Sequence, residues 1–121
     1  MAASKSTDEL IALGNAAFKE GRFEQAVQHF SAAIAAEPSH VLHSNRSGAL
    51  ASLGRYTEAL ADADAAIAMR PDWAKGYSRR GAALYGLGRY SEALATYNDG
   101  LAREPSSAQI AQAAADVRQK L

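Results

Sequence analysis

An all-α fold of stacked helix pairs is predicted by three observations: a repeating period, helical apolar spacing within each period, and glycine and proline held in phase. Pro38, Pro71 and Pro105 stand 33 and then 34 residues apart (71−38 and 105−71). Gly21, Gly54 and Gly88 keep the same two intervals, as do Ala26, Ala59 and Ala93 and the aromatics Phe23, Tyr56 and Tyr90. Periods in this range mark stacked-repeat proteins, whose units bury their apolar faces only against their neighbours.

Each period reads as two helices. Phe23, Ala26, Val27, Phe30 and Ile34 fall on one face, as do Tyr56, Ala59, Leu60, Ala63 and Ile67, and Tyr90, Ala93, Leu94, Tyr97 and Leu101. Spacings of three and four belong to an amphipathic helix and not to a strand. The glycine two positions before each aromatic ends the preceding helix, because glycine tolerates a left-handed cap. Each proline follows a second helix and blocks its continuation. Ser6 with Glu9 forms a capping box for the first helix. The predicted helices are 7–20, 23–36, 40–53, 56–69, 73–87 and 90–103, giving one domain over 1–121 with repeats 7–39, 40–73 and 74–106. A seventh helix at 107–121, capped by Ser106 or Ser107, covers the last repeat with Ile110, Ala114, Val117 and Leu121. Asp116, Arg118, Gln119 and Lys120 give it a polar outer side. Gly14, Gly48 and Gly81 recur inside the first helices at roughly 1 kcal/mol each against alanine, which points to close helix packing.

Composition narrows the function. The 121 residues suit a single domain, and 48% are apolar, many of them alanine, as closely approaching helices require. Thirteen basic and thirteen acidic residues balance to a formal net charge of zero. That argues against nucleic acid or an anionic membrane as partner. No cysteine is present, which excludes disulfides and thiol chemistry. Residues 1–7 hold no apolar stretch of the kind a secretion leader needs, and no run approaches the roughly 20 apolar residues of a membrane span. A cytoplasmic chain, monomeric as an isolated domain, is the expectation.

These spacing, glycine, alanine and proline phases resemble the tetratricopeptide repeat family across essentially the whole chain. The resemblance implies antiparallel helix pairs in a right-handed superhelix, with the first helices lining a concave groove. Asn15 and Lys19, Asn45, and Lys75 and Arg79 would then face that groove. Lys75 and Arg79 are stacked four apart, which costs a few tenths of a kcal/mol unless an anion lies between them. Amide donors with an ammonium and a guanidinium suit carboxylates.

Gly14-Asn15, Ser44-Asn45-Arg46-Ser47 and Lys75-Gly76-Tyr77-Ser78-Arg79 resemble the carboxylate clamp of co-chaperone tetratricopeptide domains. His40-Val41-Leu42 and Pro71-Asp72-Trp73-Ala74-Lys75 strengthen the likeness to the N-terminal domain of the heat-shock-organising (Hop) co-chaperones. Such domains bind the Glu-Glu-Val-Asp tail of cytosolic heat-shock chaperones. By similarity, Asn15 and Asn45 hold the terminal carboxylate, Lys75 meets the last aspartate, and Arg79 acts farther along the peptide. Phe18, Leu50, Ala51 and Tyr85 are candidates for apolar contacts with upstream side chains, although Phe18 and Tyr85 fit the core equally well. Ser78 belongs to the same motif, and Lys19 fits a solvated face as well as a binding role. The resemblance favours the 70-kDa chaperone class and leaves the 90-kDa class open. It also favours a module of a longer co-chaperone. One departure stands out: the family's clamp lysine four residues before the first asparagine is Ile11 here.

Other signals point nowhere definite. His40 and His43 have no third ligand nearby for a metal, and Asn45-Arg46-Ser47 is an incidental glycosylation match on a helix. Glu58 and Asp62, four apart, read as a solvated pair on a second helix. No phosphate loop, nucleophile elbow or metal helix motif is present. The expected function is peptide capture, not catalysis, with no cofactor. A scaffold gripping an internal peptide or helix through apolar area is the alternative.

Overall fold

Seven helices account for the architecture of the computed structural model, which describes residues 5–121; residues 1–4, part of the stretch read above for a leader, lie outside it. They are α1 (Thr7–Lys19), α2 (Phe23–Ala36), α3 (His40–Ser52), α4 (Tyr56–Met69), α5 (Ala74–Gly86), α6 (Tyr90–Arg103) and α7 (Ala108–Arg118), with no strand among the described residues. Each helix packs on the next, and α3 also packs directly on α5. The first helices of the second and third repeats therefore lie side by side.

The turns within the pairs are nearly identical. Gly21, Gly54 and Gly88 all have φ of 76°, the left-handed conformation that costs other residues a Cβ clash. The following N–H groups close back on the helix: Arg22 to the Ala17 carbonyl at 2.8 Å, Arg55 to Leu50 and Arg89 to Leu84 at 2.9 Å each. This is the Schellman arrangement, which satisfies carbonyls that a helix end leaves open. At the N-termini, Ser6 and Glu9 form the expected capping box on α1. Ser39 caps α3 through the Leu42 N–H, and Ser107 caps α7 through the Ile110 N–H. Trp73 stands just before α5 and not in it, because Pro71 holds the chain in a turn there.

The core is built from small residues set against a few rings. Ala17, Ala26, Ala33, Leu42 and Ala49 surround Phe30, while Ala74, Leu84, Ala93, Ile110, Ala114 and Val117 surround Tyr97. Burying a ring of this kind contributes roughly 1.5–3 kcal/mol. Counted seven back from the turn glycines, the equivalent positions are Gly14, Ser47 and Gly81 (21−14, 54−47, 88−81). A Cβ at Gly14 would sit 2.5 Å from the Phe30 ring and one at Gly81 2.4 Å from the Tyr97 ring, so both glycines admit an aromatic, as expected. Gly48 does not belong to that set. Its place against α4 is taken by Ser47, whose Oγ donates to the Ala59 carbonyl at 2.8 Å, opposite the small Ala63. Gly48 instead faces Arg79 of α5.

α7 buries Ile110, Ala114 and Val117 against α6. Leu121 does not join them: the helix ends at Arg118, leaving Leu121 exposed.

Candidate functional site

Five of the six polar residues proposed for the groove, all but Ser78, line one cavity. The chain repeats its register so that Ala12, Asn45 and Arg79 are equivalent (each nine before its turn glycine: 21−12, 54−45, 88−79). Facing rows on α1, α3 and α5 thus meet along one side. The result is a cavity of about 550 Å³ lined by Asn15, Phe18 and Lys19 from α1, Asn45 from α3, and Lys75 and Arg79 from α5, with Ala12 and Ala16 between them. No carboxylate lines it.

Its charges are uncompensated. Among the described residues, the ion pairs of the molecule involve Arg22, His43, Arg46, Arg55, Arg80 and Arg89, and none involves Lys19, Lys75 or Arg79. The Lys75 ammonium is held below its usual pKa, by burial first and by the Arg79 charge second. Burial likewise lowers Arg79. Arg79 Nε donates to Ser44 Oγ at 3.3 Å, and Ser44 is fully buried. Two cations placed in partly desolvated surroundings without an acid favour an incoming anion.

A second cavity of about 300 Å³ continues from the first, sharing Phe18 and Arg79. Its walls are Phe18, Tyr56 and Tyr85, and its floor includes Gly48, Ala51, Ala82 and Gly86. Phe18 packs edge-on against Phe23 at 5.4 Å, and Tyr85 lies tilted against Tyr90 at 5.3 Å. Each of Phe18 and Tyr85 is half-buried, so one side serves the core and the other the groove. Ala51 is the equivalent position between them in the middle repeat (18, 51 and 85, three before each turn glycine), and its small side chain leaves the gap. Tyr56 reaches this cavity because Gly86 has no side chain; a Cβ there would meet the Tyr56 ring at 2.2 Å. Ser52, Tyr56, Ala82 and Gly86 were not anticipated from sequence, although the repeat register would have found Ala82 as the partner of Asn15.

Several expectations shift. Leu50 is 3% exposed and packs with Ala59 and Ala83, so it is a core residue and not a groove contact. It lies one position before Ala51, about 100° around the helix. Ser78 lines a separate, more polar recess of about 270 Å³ with Lys75, Arg79, Glu104 and Ser107, on the α7 side. Ile11 is half-buried against the first-repeat core. Asp62 overturns the reading of a solvated carboxylate pair. Glu58 is exposed and paired with Arg55 at 2.7 Å, but Asp62 is 5% exposed and sits between α3 and α4. Arg46 donates to it twice, at 2.7 and 2.8 Å, and His43 Nδ1 lies 2.9 Å away. The small Ala59, Ala63 and Ala66 draw α4 close enough to cover it. The same pair raises Arg46 above its usual pKa, through the hydrogen bond first. His40 meanwhile packs edge-on against Trp73 at 4.8 Å, so the two histidines serve different neighbours.

The sequence profile of the Tetratricopeptide repeat family matches residues 11–74 and again 49–108. The chain belongs to the tetratricopeptide repeat family. Proteins of this fold are interaction modules. A stretch of 73 residues, 60% of the chain, is 64% identical to the Hsp70-Hsp90 organizing protein of Triticum aestivum, of which it covers 13%. The chain spans a third or less of the length of this and two further organising proteins, from Plasmodium falciparum, that it resembles. Among tetratricopeptide structures, the first domain of Spaghetti (RPAP3) bound to the HSP90 peptide SRMEEVD superposes with a TM-score of 0.89 at 30% identity, over 98% of this chain and 94% of that one. The second domain of human RPAP3, in complex with the HSP70 peptide SGPTIEEVD, gives 0.84 at 29% identity, over 93% and 98%. No helix of the described residues is long and apolar enough to cross a membrane.

Proposed function

We propose that this tetratricopeptide domain is a co-chaperone module that captures the free C-terminal tail of a cytosolic heat-shock chaperone ending in Glu-Glu-Val-Asp. The observation that carries the reading is the 550 Å³ cavity where Asn15, Lys19, Asn45, Lys75 and Arg79 converge without a carboxylate. A C-terminal aspartate supplies two carboxylates on one residue, the chemistry that such a donor set lacks. In this reading Asn15 and Asn45 hold the main-chain carboxylate, Lys75 takes the aspartate side chain, and Arg79 bonds farther upstream. The residue before the acidic tail enters the second cavity between Phe18 and Tyr85, over Ala51. Two neighbouring folds solved with peptides ending in Glu-Glu-Val-Asp support the ligand class. The likeness to the first Hop domain favours the 70-kDa chaperones, in the cytoplasm, with the domain acting inside a longer co-chaperone.

Calorimetric titration with a seven-residue peptide ending in Glu-Glu-Val-Asp, beside its C-terminally amidated twin, tests this. The free acid is expected to bind near micromolar, about −8 kcal/mol, and the amide not at all. Lys75→Ala or Arg79→Ala should each cost about 2 kcal/mol or more, and affinity should fall as salt rises. Equal binding of acid and amide, insensitive to salt, would replace the clamp with a scaffold holding an internal peptide by apolar area. Competition between 70-kDa and 90-kDa tail peptides decides the chaperone class.

A further inference from the structure

Arg79 reaches the groove by an unusual seat. Its guanidinium crosses from α5 and lies on the backbone of α3 at Gly48, where an added Cβ would come 2.8 Å from Cζ and Nη1 and 3.2 Å from Nη2. Gly48 occupies the position of Asn15 in the first repeat and Ala82 in the third (six before each turn glycine: 21−15, 54−48, 88−82). Neither equivalent lacks a Cβ. One turn earlier, the buried Ser44 hydroxyl accepts from Arg79 Nε at 3.3 Å. The terminal nitrogens of Arg79 meet no acid among the described residues, and they lie where the two groove cavities join.

We infer that Gly48 and Ser44 are positioning residues for ligand binding: the bare backbone at Gly48 and the Ser44 hydroxyl hold the Arg79 guanidinium flat across the step from α3 to α5, with its terminal N–H groups aimed at an acidic peptide. The inference rests on the clamp reading and adds two residues that act through Arg79; Gly48 also lines the floor of the second cavity, and the Arg79→Ala background separates the two effects. Its physical basis is pre-organisation. A free arginine side chain loses much rotamer freedom when it binds, and one already seated loses less. Alanine at 48 would not disturb the fold, because the displaced atoms are the end of a flexible side chain. It would lift the guanidinium off α3 while replacing a helix-interior glycine by the better helix former.

The expected signature is therefore opposite in sign for stability and binding. Gly48→Ala should raise the thermal midpoint by about 2–5 °C and weaken binding of the free-acid peptide about tenfold, the loss of part of one charge-assisted contact. Ser44→Ala should weaken binding without that gain in stability. In an Arg79→Ala background, Gly48→Ala should leave affinity unchanged, since the seat then holds nothing. The Nε–H resonance of Arg79, followed by ¹⁵N NMR in the full chain without peptide, should be protected from exchange, and exposed in both seat variants. Unaltered peptide affinity in Gly48→Ala, or an Nε–H that exchanges freely in the unsubstituted protein, overturns the inference. Failure of the unsubstituted protein to distinguish acid from amide instead removes the clamp reading, and is visible before any variant is made.

Discussion

Ile11→Lys is the perturbation that puts the groove to the sharpest test, because two opposed effects can be separated. Ile11 stands at the position of Ser44 and Ser78 (ten before each turn glycine: 21−11, 54−44, 88−78). Ser44 touches Arg79 of the next first helix, which by equivalence turns the side chain at 11 toward the step between α1 and α3, beside Asn45. A lysine there would add an ammonium near the terminal carboxylate. A charge-assisted hydrogen bond contributes about 1.5–3 kcal/mol, hence tail affinity should tighten roughly ten- to hundredfold. Stability should move the other way. Ile11 is half-buried against the first core cluster, and its full burial would be worth about 1.5–3 kcal/mol. Lysine keeps its alkyl stem over apolar surface, so the expected loss is about 1 kcal/mol. Calorimetry with the free-acid peptide measures the first effect, and urea unfolding followed by Trp73, the single tryptophan, measures the second. Lys19 lines the same cavity. If it partly supplies the missing cation, Lys19→Ala will cost more in the unsubstituted protein than in Ile11→Lys. Unchanged or weaker affinity in a folded Ile11→Lys protein would refute the assignment of this end of the groove.

Other substitutions test the framework. Asp62→Ala leaves the Arg46 side chain, three-quarters buried, without its paired acid; breaking such a pair should destabilise by about 3 kcal/mol in urea unfolding, the lower end for buried pairs because Arg46 reaches some water. Gly81→Ala drives a Cβ to 2.4 Å from the stiff Tyr97 ring and should cost about 1–3 kcal/mol, the reverse of the gain expected at Gly48. Burial first, then the Asp116 charge, pushes the Tyr97 phenol up to about 12 from its ordinary 10.0. The unfolded chain therefore loses this proton first, so the contribution is intact below about pH 10 and is lost as pH climbs toward 12; Tyr97→Phe should flatten that alkaline decline in a pH series of unfolding curves.

Helices and turns were legible because they depend on local chemistry. The turn glycines require a positive φ wherever they stand, and all three boundaries they mark agree with the structure to within a residue. The polar groove residues were legible as a set because the family resemblance implies that first helices line the groove, and Asn15, Asn45, Lys75 and Arg79 do line one cavity. What escaped depends on how closely two helices approach. Asp62 and Glu58 share a stripe of α4, yet the alanines that draw α4 onto α3 cover the first and leave the second in water. Leu50 and Ala51 differ by one position, about 100° around α3, one in the core and one on the groove. Gly48 reads like Gly14 and Gly81 until the register is counted from the turns, and only then separates as the seat of Arg79.

The zero net charge conceals a segregation that bears on function. Acids and bases pair away from the groove: Arg46 with Asp62, Arg55 with Glu24 and Glu58, Arg80 with Asp64, Arg89 with Glu92. Each acid in these pairs stands on a second helix, α2, α4 or α6; Arg55 and Arg89 precede α4 and α6, while Arg46 and Arg80 reach across from α3 and α5. The first helices keep Lys19, Lys75 and Arg79 free of such partners along the cavity. Charge balance over the whole chain limits attraction to polyanions at long range, since the Debye length is only about 8 Å at physiological salt. Within the cavity the balance is irrelevant, because partial burial weakens screening and no acid lines it. On the proposed reading the domain discriminates by depth: outside the groove a nucleic acid or membrane surface meets ten bases against thirteen acids (13−3 against 13), while a slender acidic chain end that enters the groove meets three cations and two amides. Selectivity for a tail over a polyanion then follows from where the charges sit, and adding exposed lysines to the second helices should erode that selectivity without improving the tail's affinity.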